Sequence, residues 1–154
     1  DEVGSGSVVF ASGVTGSGSA VLASGVTGSG SAVLGTSPTI ATPTINGYIE
    51  GNSNIGVVGA SATLSIASST VITATLTSGT ATTFTMPAVA AGKAFTLYLK
   101  QPASGAIGSA VFTGVKWPNG GAPVVTELNG VLDIFPFISD GVNWYGSSLQ
   151  NFAY

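Results

Sequence analysis

Three consecutive twelve-residue blocks open the chain: Gly4 to Thr15 (GSGSVVFASGVT), Gly16 to Thr27 (GSGSAVLASGVT) and Gly28 to Thr39 (GSGSAVLGTSPT). A fixed short period means that one small structural unit is stacked or strung along an axis, as in fibrous and elongated proteins. Each block offers one apolar run (Val8-Val9-Phe10, Ala20-Val21-Leu22, Ala32-Val33-Leu34), with a further valine at position 14 or 26, set among Gly and Ser. Ordering a residue costs about 1–2 kcal/mol of backbone entropy, and a buried apolar side chain returns roughly 1.5–3 kcal/mol, so a single copy of the segment does not fold alone. The economical partner is the same segment of another copy, because identical stripes around a symmetry axis bury one another. A homotrimer is the expected assembly. A flexible Gly/Ser linker is the competing reading, and the recurrence of Val and Leu in register counts against it.

Other fibrous architectures fail on residue type. Collagen needs glycine at every third position, and the GSGS runs lapse for longer stretches. Coiled coils need apolar heptads with charged flanks, whereas the repeat holds no Glu, Lys or Arg. Calcium-binding β-rolls need an Asp in each turn, and residues 4–39 contain none. An intertwined or stacked β arrangement remains.

Charged residues are 6% of the chain, against about 25% in ordinary soluble proteins, and hydroxyl side chains supply most of the polarity. The three lysines (Lys93, Lys100, Lys116) and the lack of arginine leave no basic patch for nucleic acid. With neither Cys nor His, disulfides, thiolate or imidazole metal sites and His-dependent triads are excluded, and no cofactor is expected. Neither a run of about 18 apolar residues nor a secretory leader pattern occurs, so membrane insertion is not expected. The chain reads as the C-terminal piece of a longer protein.

The length suits one compact domain plus an appendage. Residues 1–54 read as repeat shaft and connector, the latter extended by prolines in TSPTIATPTINGYIEGNSN (Thr36 to Asn54). Residues 55–154 read as an antiparallel β-sandwich head, making the chain all-β. Between Ile55 and Met86 apolar residues recur at every second position (Leu64 and Ile66; Ile72, Ala74 and Leu76), and Phe95, Leu97 and Leu99 alternate with Thr96, Tyr98 and Lys100. Shorter strands are expected at Ser109–Thr113, Pro123–Leu128, Val131–Ile138, Val142–Gly146 and Leu149–Tyr154. Asp140-Gly141 signals a two-residue hairpin, Asn119-Gly120-Gly121 a second turn, and Pro136 an edge strand or bulge.

GKAFTLYLKQ (Gly92 to Gln101), VKWPNGGAPVVT (Val115 to Thr126) and DIFPFISDGVNWYGS (Asp133 to Ser147) resemble the distal domain of tail fibres from tailed bacteriophages of Gram-negative bacteria. GSGSAVLGTSPTIATPTI (Gly28 to Ile45) is similar to the shaft repeats of such fibres. The resemblance implies an intertwined homotrimer in the virion, joined upstream to the rest of the fibre and tail. It also implies a C-terminal tip that binds a lipopolysaccharide or capsular glycan outside the cell without cleaving it. Aromatic residues beside turns suit that chemistry, because a ring face stacks on a sugar while nearby Asn, Asp and Ser bond its hydroxyls. Trp117 and Asn119 at one turn, and Asp140, Asn143, Trp144 and Tyr145 at the other, are the candidate glycan contacts. Burial of both tryptophans in a core or trimer interface is the competing reading.

Two alternatives are weighed. A capsule depolymerase needs two facing carboxylates roughly 5–9.5 Å apart, and only Glu127 and Asp133 sit on neighbouring strand candidates. An ice-binding β-protein needs threonines repeating on one flat face, for which Thr73, Thr75, Thr77, Thr80 and Thr82 are the material.

Overall fold

The computed structural model describes residues 45–154, which form one compact unit beginning at Ile45; the shaft repeat lies outside the described residues. Apolar alternation is realised as expected in two strands, whereas Leu64 and Ile66, read as part of another, lie outside any strand. Strand β3 (Val71–Leu76) turns Ile72, Ala74 and Leu76 inward, and β5 (Ala94–Lys100) does the same with Phe95, Leu97 and Leu99. The direction of pairing differs from a sandwich. β1 (Asn52–Val58) pairs parallel with β3, and β3 pairs parallel with β5. On the facing sheet, β2 (Ser61–Thr63), β4 (Ala81–Thr85) and β6 (Ser109–Phe112) are also all parallel. The chain therefore alternates between two sheets, one strand in each per rung, in a β-solenoid-like arrangement that replaces the expected antiparallel sandwich.

Short connections mislead here. A two-residue link such as Gly59-Ala60 looks like a hairpin, yet it turns a corner from one sheet to the other, and the chain returns to its first sheet a whole rung later. Threonines tie successive rungs together at these corners. The hydroxyls of Thr77, Thr82 and Thr113 donate to the carbonyls of Val58, Gly59 and Phe84 at 2.7, 2.8 and 2.7 Å. Thr82 is fully buried, and this bond is what makes a buried hydroxyl tolerable. It also removes Thr82 from any outward threonine array; Thr73, too, is buried. Asn52–Asn54 belong to β1, so the head's first strand starts before the expected boundary at residue 54.

The third rung is closed by an antiparallel cap. β8 (Val131–Ser139) pairs with β5 along its length, and its other edge is shared by β9 (Trp144–Gly146) and β10 (Leu149–Ala153). β7 (Val115–Lys116) adds to β9 in parallel. Pro136 lies mid-sheet rather than at an edge. Its carbonyl accepts from the Ser147 N–H at 3.1 Å, and its missing N–H falls on the same side, where the ladder breaks between β9 and β10. Pro123–Leu128 is not a strand. It is anchored by Asp133, which is 2% exposed and accepts from the Thr126 N–H (2.6 Å), the Thr126 hydroxyl (2.7 Å) and the Asn151 N–H (2.9 Å).

Between the sheets the core is aromatic. Phe84 and Phe112 stack across rungs at 5.2 Å, while Phe112 also meets Phe135 and Phe137 of the cap. Body and cap thus share one interior.

Candidate functional site

The β8–β9 turn runs from Asp140 to Asn143, since Ser139 already pairs with Trp144. It is a four-residue loop instead of a two-residue hairpin, with Gly141 (φ 97°) supplying the left-handed residue. One carboxylate oxygen of Asp140 accepts from the N–H groups of Val142 (2.8 Å) and Asn143 (2.7 Å), so the side chain itself closes the loop. The other oxygen accepts from the Tyr145 hydroxyl at 2.9 Å. The backbone bond from Asn143, then that from Val142, hold the Asp140 carboxyl below the ordinary carboxylate range. The same pairing pushes the Tyr145 phenol up, first through the hydrogen bond and then through the charge of Asp140.

Trp144 and Tyr145 are adjacent in a strand, so their side chains leave opposite faces. Tyr145 faces out and is 44% exposed. Trp144 faces in, at 2% exposed; its ring meets Phe95 edge-on at 5.1 Å and its indole N–H donates to the Pro87 carbonyl at 2.8 Å. Trp144 is therefore a core residue with a satisfied polar atom, unable to stack on a sugar. The competing reading of burial holds for it.

Trp117 is half-buried, packed against Phe112, Phe135 and Phe137 at 5.6, 6.3 and 5.8 Å. Its indole occupies the space where a side chain at position 146 would stand: a Cβ on Gly146 would come within 2.6 Å of it. One side of the ring borders an open cavity of about 260 Å³ with Pro118, Gly121, Pro123, Ser147 and Ser148. Asn119, exposed and at φ 56°, sits in the 3-10 turn Pro118–Gly120.

The six expected contacts do not make one site. Trp117 belongs to the cavity above, whereas Tyr145 lines a second one of about 430 Å³ with Pro136 and Ile138. Ser147 borders both. Ser147 and Ile138 were not among the expected contacts, although the hairpin register, once fixed, puts Ile138 opposite Tyr145.

Of the two carboxylates weighed for hydrolysis, Asp133 is buried with its oxygens occupied by backbone and hydroxyl donors, and Glu127 is exposed. Among the described residues no three His, Cys, Asp or Glu side chains gather as metal ligands, and no helix is long and apolar enough to cross a membrane. No family model, curated protein or solved structure matches the chain.

Proposed function

We propose that the chain is the distal part of a tailed-bacteriophage tail fibre, a homotrimer that attaches the virion to a host by binding surface polysaccharide or lipopolysaccharide without cleaving it. The observation that carries this reading is Tyr145: an exposed ring beside an open cavity, its hydroxyl fixed on the Asp140 carboxylate at 2.9 Å. A phenol locked in this way offers its face to a pyranose at little further cost in side-chain entropy. The all-β body with hydroxyl-rich outer strands suits an extracellular fibre, and the repeat at residues 4–39 suits a shaft. Non-cleavage is supported by the structural employment of Asp133, which leaves Glu127 without a buried acidic partner on β8.

Sedimentation equilibrium on the 154-residue chain tests the assembly, and retention of labelled chain on Gram-negative cells tests adhesion. The reading expects a species of three times the 15.0 kDa chain mass, and cell retention that purified lipopolysaccharide or capsule competes away. A monomer with no retention on any strain of a broad panel would overturn it.

A further inference from the structure

The outward row that carries Tyr145 runs on across the sheet. Ladder partners place Ala94, Ile138 and Tyr145 side by side, and next to them Val71, Thr96 and Pro136. Ala94 is the smallest of these, so the surface sinks there, between the Tyr145–Ile138 wall and the first rung. Two cavities result, of about 430 and 180 Å³, sharing Ala94, Pro136 and Phe137. They adjoin as one groove across the outer face of β5 and β8.

The far wall of the groove is polar. Glu50 and Thr70 line it, and the Glu50 carboxylate accepts from the Thr70 hydroxyl at 2.7 Å and the Tyr48 hydroxyl at 3.2 Å. Each oxygen keeps a second acceptor direction free for a ligand hydroxyl. The groove therefore offers one tyrosine face at its Tyr145 end, an apolar floor of Ala94 and Pro136, and a held carboxylate at its other end, with Tyr48 standing 70% exposed beside it. Ring faces with fixed hydroxyl acceptors match a saccharide, whose pyranose has apolar faces and equatorial hydroxyl donors.

Charge narrows the choice further. No lysine is among the residues lining the two cavities: Lys93 borders a separate cavity with Leu64, Met86 and Pro87, and the Lys100 ammonium is held 3.4 Å over the Tyr154 ring, whereas the exposed Lys116 is the ladder neighbour of Tyr145 on the side away from Ile138. Glu50 lines one end, Asp140 stands behind Tyr145 at the other, and the chain carries a formal charge of −3. At the Tyr145 end the charges of Lys116 and Asp140 oppose each other, but at the Glu50 end a uronate, sialate or phosphate group would meet the carboxylate with no lining cation to offset the repulsion.

We infer that the groove between Glu50 and Tyr145 binds a neutral saccharide chain and discriminates against acidic ones. This rests on the proposed adhesive function and assigns its ligand class.

The test is a printed array of neutral and acidic bacterial O-polysaccharides and capsular glycans, probed with the intact chain and with Glu50→Gln, Ala94→Leu, Tyr145→Ala and, as control, Thr83→Ala on the opposite sheet. Binding confined to neutral glycans is expected, unchanged in the control and weakened at least tenfold by Ala94→Leu and Tyr145→Ala. Glu50→Gln should weaken it severalfold. Circular dichroism and sedimentation of each variant separate loss of binding from loss of fold or assembly. Preference for acidic glycans would overturn the inference, and so would full binding by both Ala94→Leu and Tyr145→Ala, while either result leaves glycan adhesion standing. A change of oligomeric state in these two variants would make the groove a contact between copies and overturn it too. No binding to any glycan would remove both the groove and the adhesive reading.

Discussion

The parallel rungs and the antiparallel cap use the same strand period for different ends. On the β2–β4–β6 sheet the outward positions are Ala81 and Ser109 in one row, Ser61, Thr83 and Val111 in the next, and Thr63 and Thr85 in the third, all exposed. No ionisable side chain appears among them. The cap, β8 to β10 with its loop, carries Asp133, Asp140 and Tyr145 on a single hairpin, with Trp144 and two phenylalanines beneath. Rungs repeat one backbone solution and need little from any single outward side chain. A cap closes the solenoid end once, and each of its residues has a particular job.

This contrast sets the expected sizes of mutational effects. Trp144→Ala should be the most damaging, removing about 3–5 kcal/mol of stability as a large core deletion, read as a lowered midpoint in urea. Gly146→Ala follows, at about 1–3 kcal/mol, because its Cβ would press on the Trp117 and Phe137 rings. Thr82→Val in the body tests the rung ties: it keeps the shape and removes the hydroxyl donor to the Gly59 carbonyl, costing about 0.5–1.5 kcal/mol. Thr83→Ala, one residue away and facing out, should stay within about 0.5 kcal/mol. A comparable loss in Thr82→Val and Thr83→Ala would break the distinction between ties and outer face.

The smallest effect is that of pH on the loop. Asp140 has a lowered pKa, so its contribution is complete above the ordinary carboxylate value of about 4 and is lost as pH falls through its folded value. Tyr145 has a raised pKa, so its share is complete below the ordinary phenol value of about 10 and is lost as pH rises through its folded value. Amide resonances of Val142 and Asn143 should accordingly hold steady from about pH 5 to 9 and move together in acid, a response absent in Asp140→Asn.

In β3 and β5 the buried face was legible in the sequence, because alternation depends only on the strand's own residues: Ile72, Ala74 and Leu76 are inward whatever lies beside them. Strand direction was not. Parallel partners begin at residues 52, 71 and 94, too far apart for any local turn to announce them. Only the cap, whose strands meet across Asp140–Asn143, could be paired by eye, and there antiparallel pairing is what forms. At the site, the turn pointed to Tyr145 correctly as an exposed aromatic. It pointed equally to Trp144, which strand parity sends into the core. Glu50, Thr70 and Ala94 gave no signal, since three separate segments converge on that groove only after the rungs stack.

The adhesive reading assigns binding to the outer face of the sheet that carries β5 and β8, and scaffolding to the opposite β2–β4–β6 sheet. Flow cytometry of labelled chain on a Gram-negative panel, comparing Ala94→Leu with Thr83→Ala, tests that division most directly. A strain that retains the unaltered chain should retain Thr83→Ala equally and lose most of Ala94→Leu. Equal retention of both variants, or a larger loss with Thr83→Ala, would contradict it.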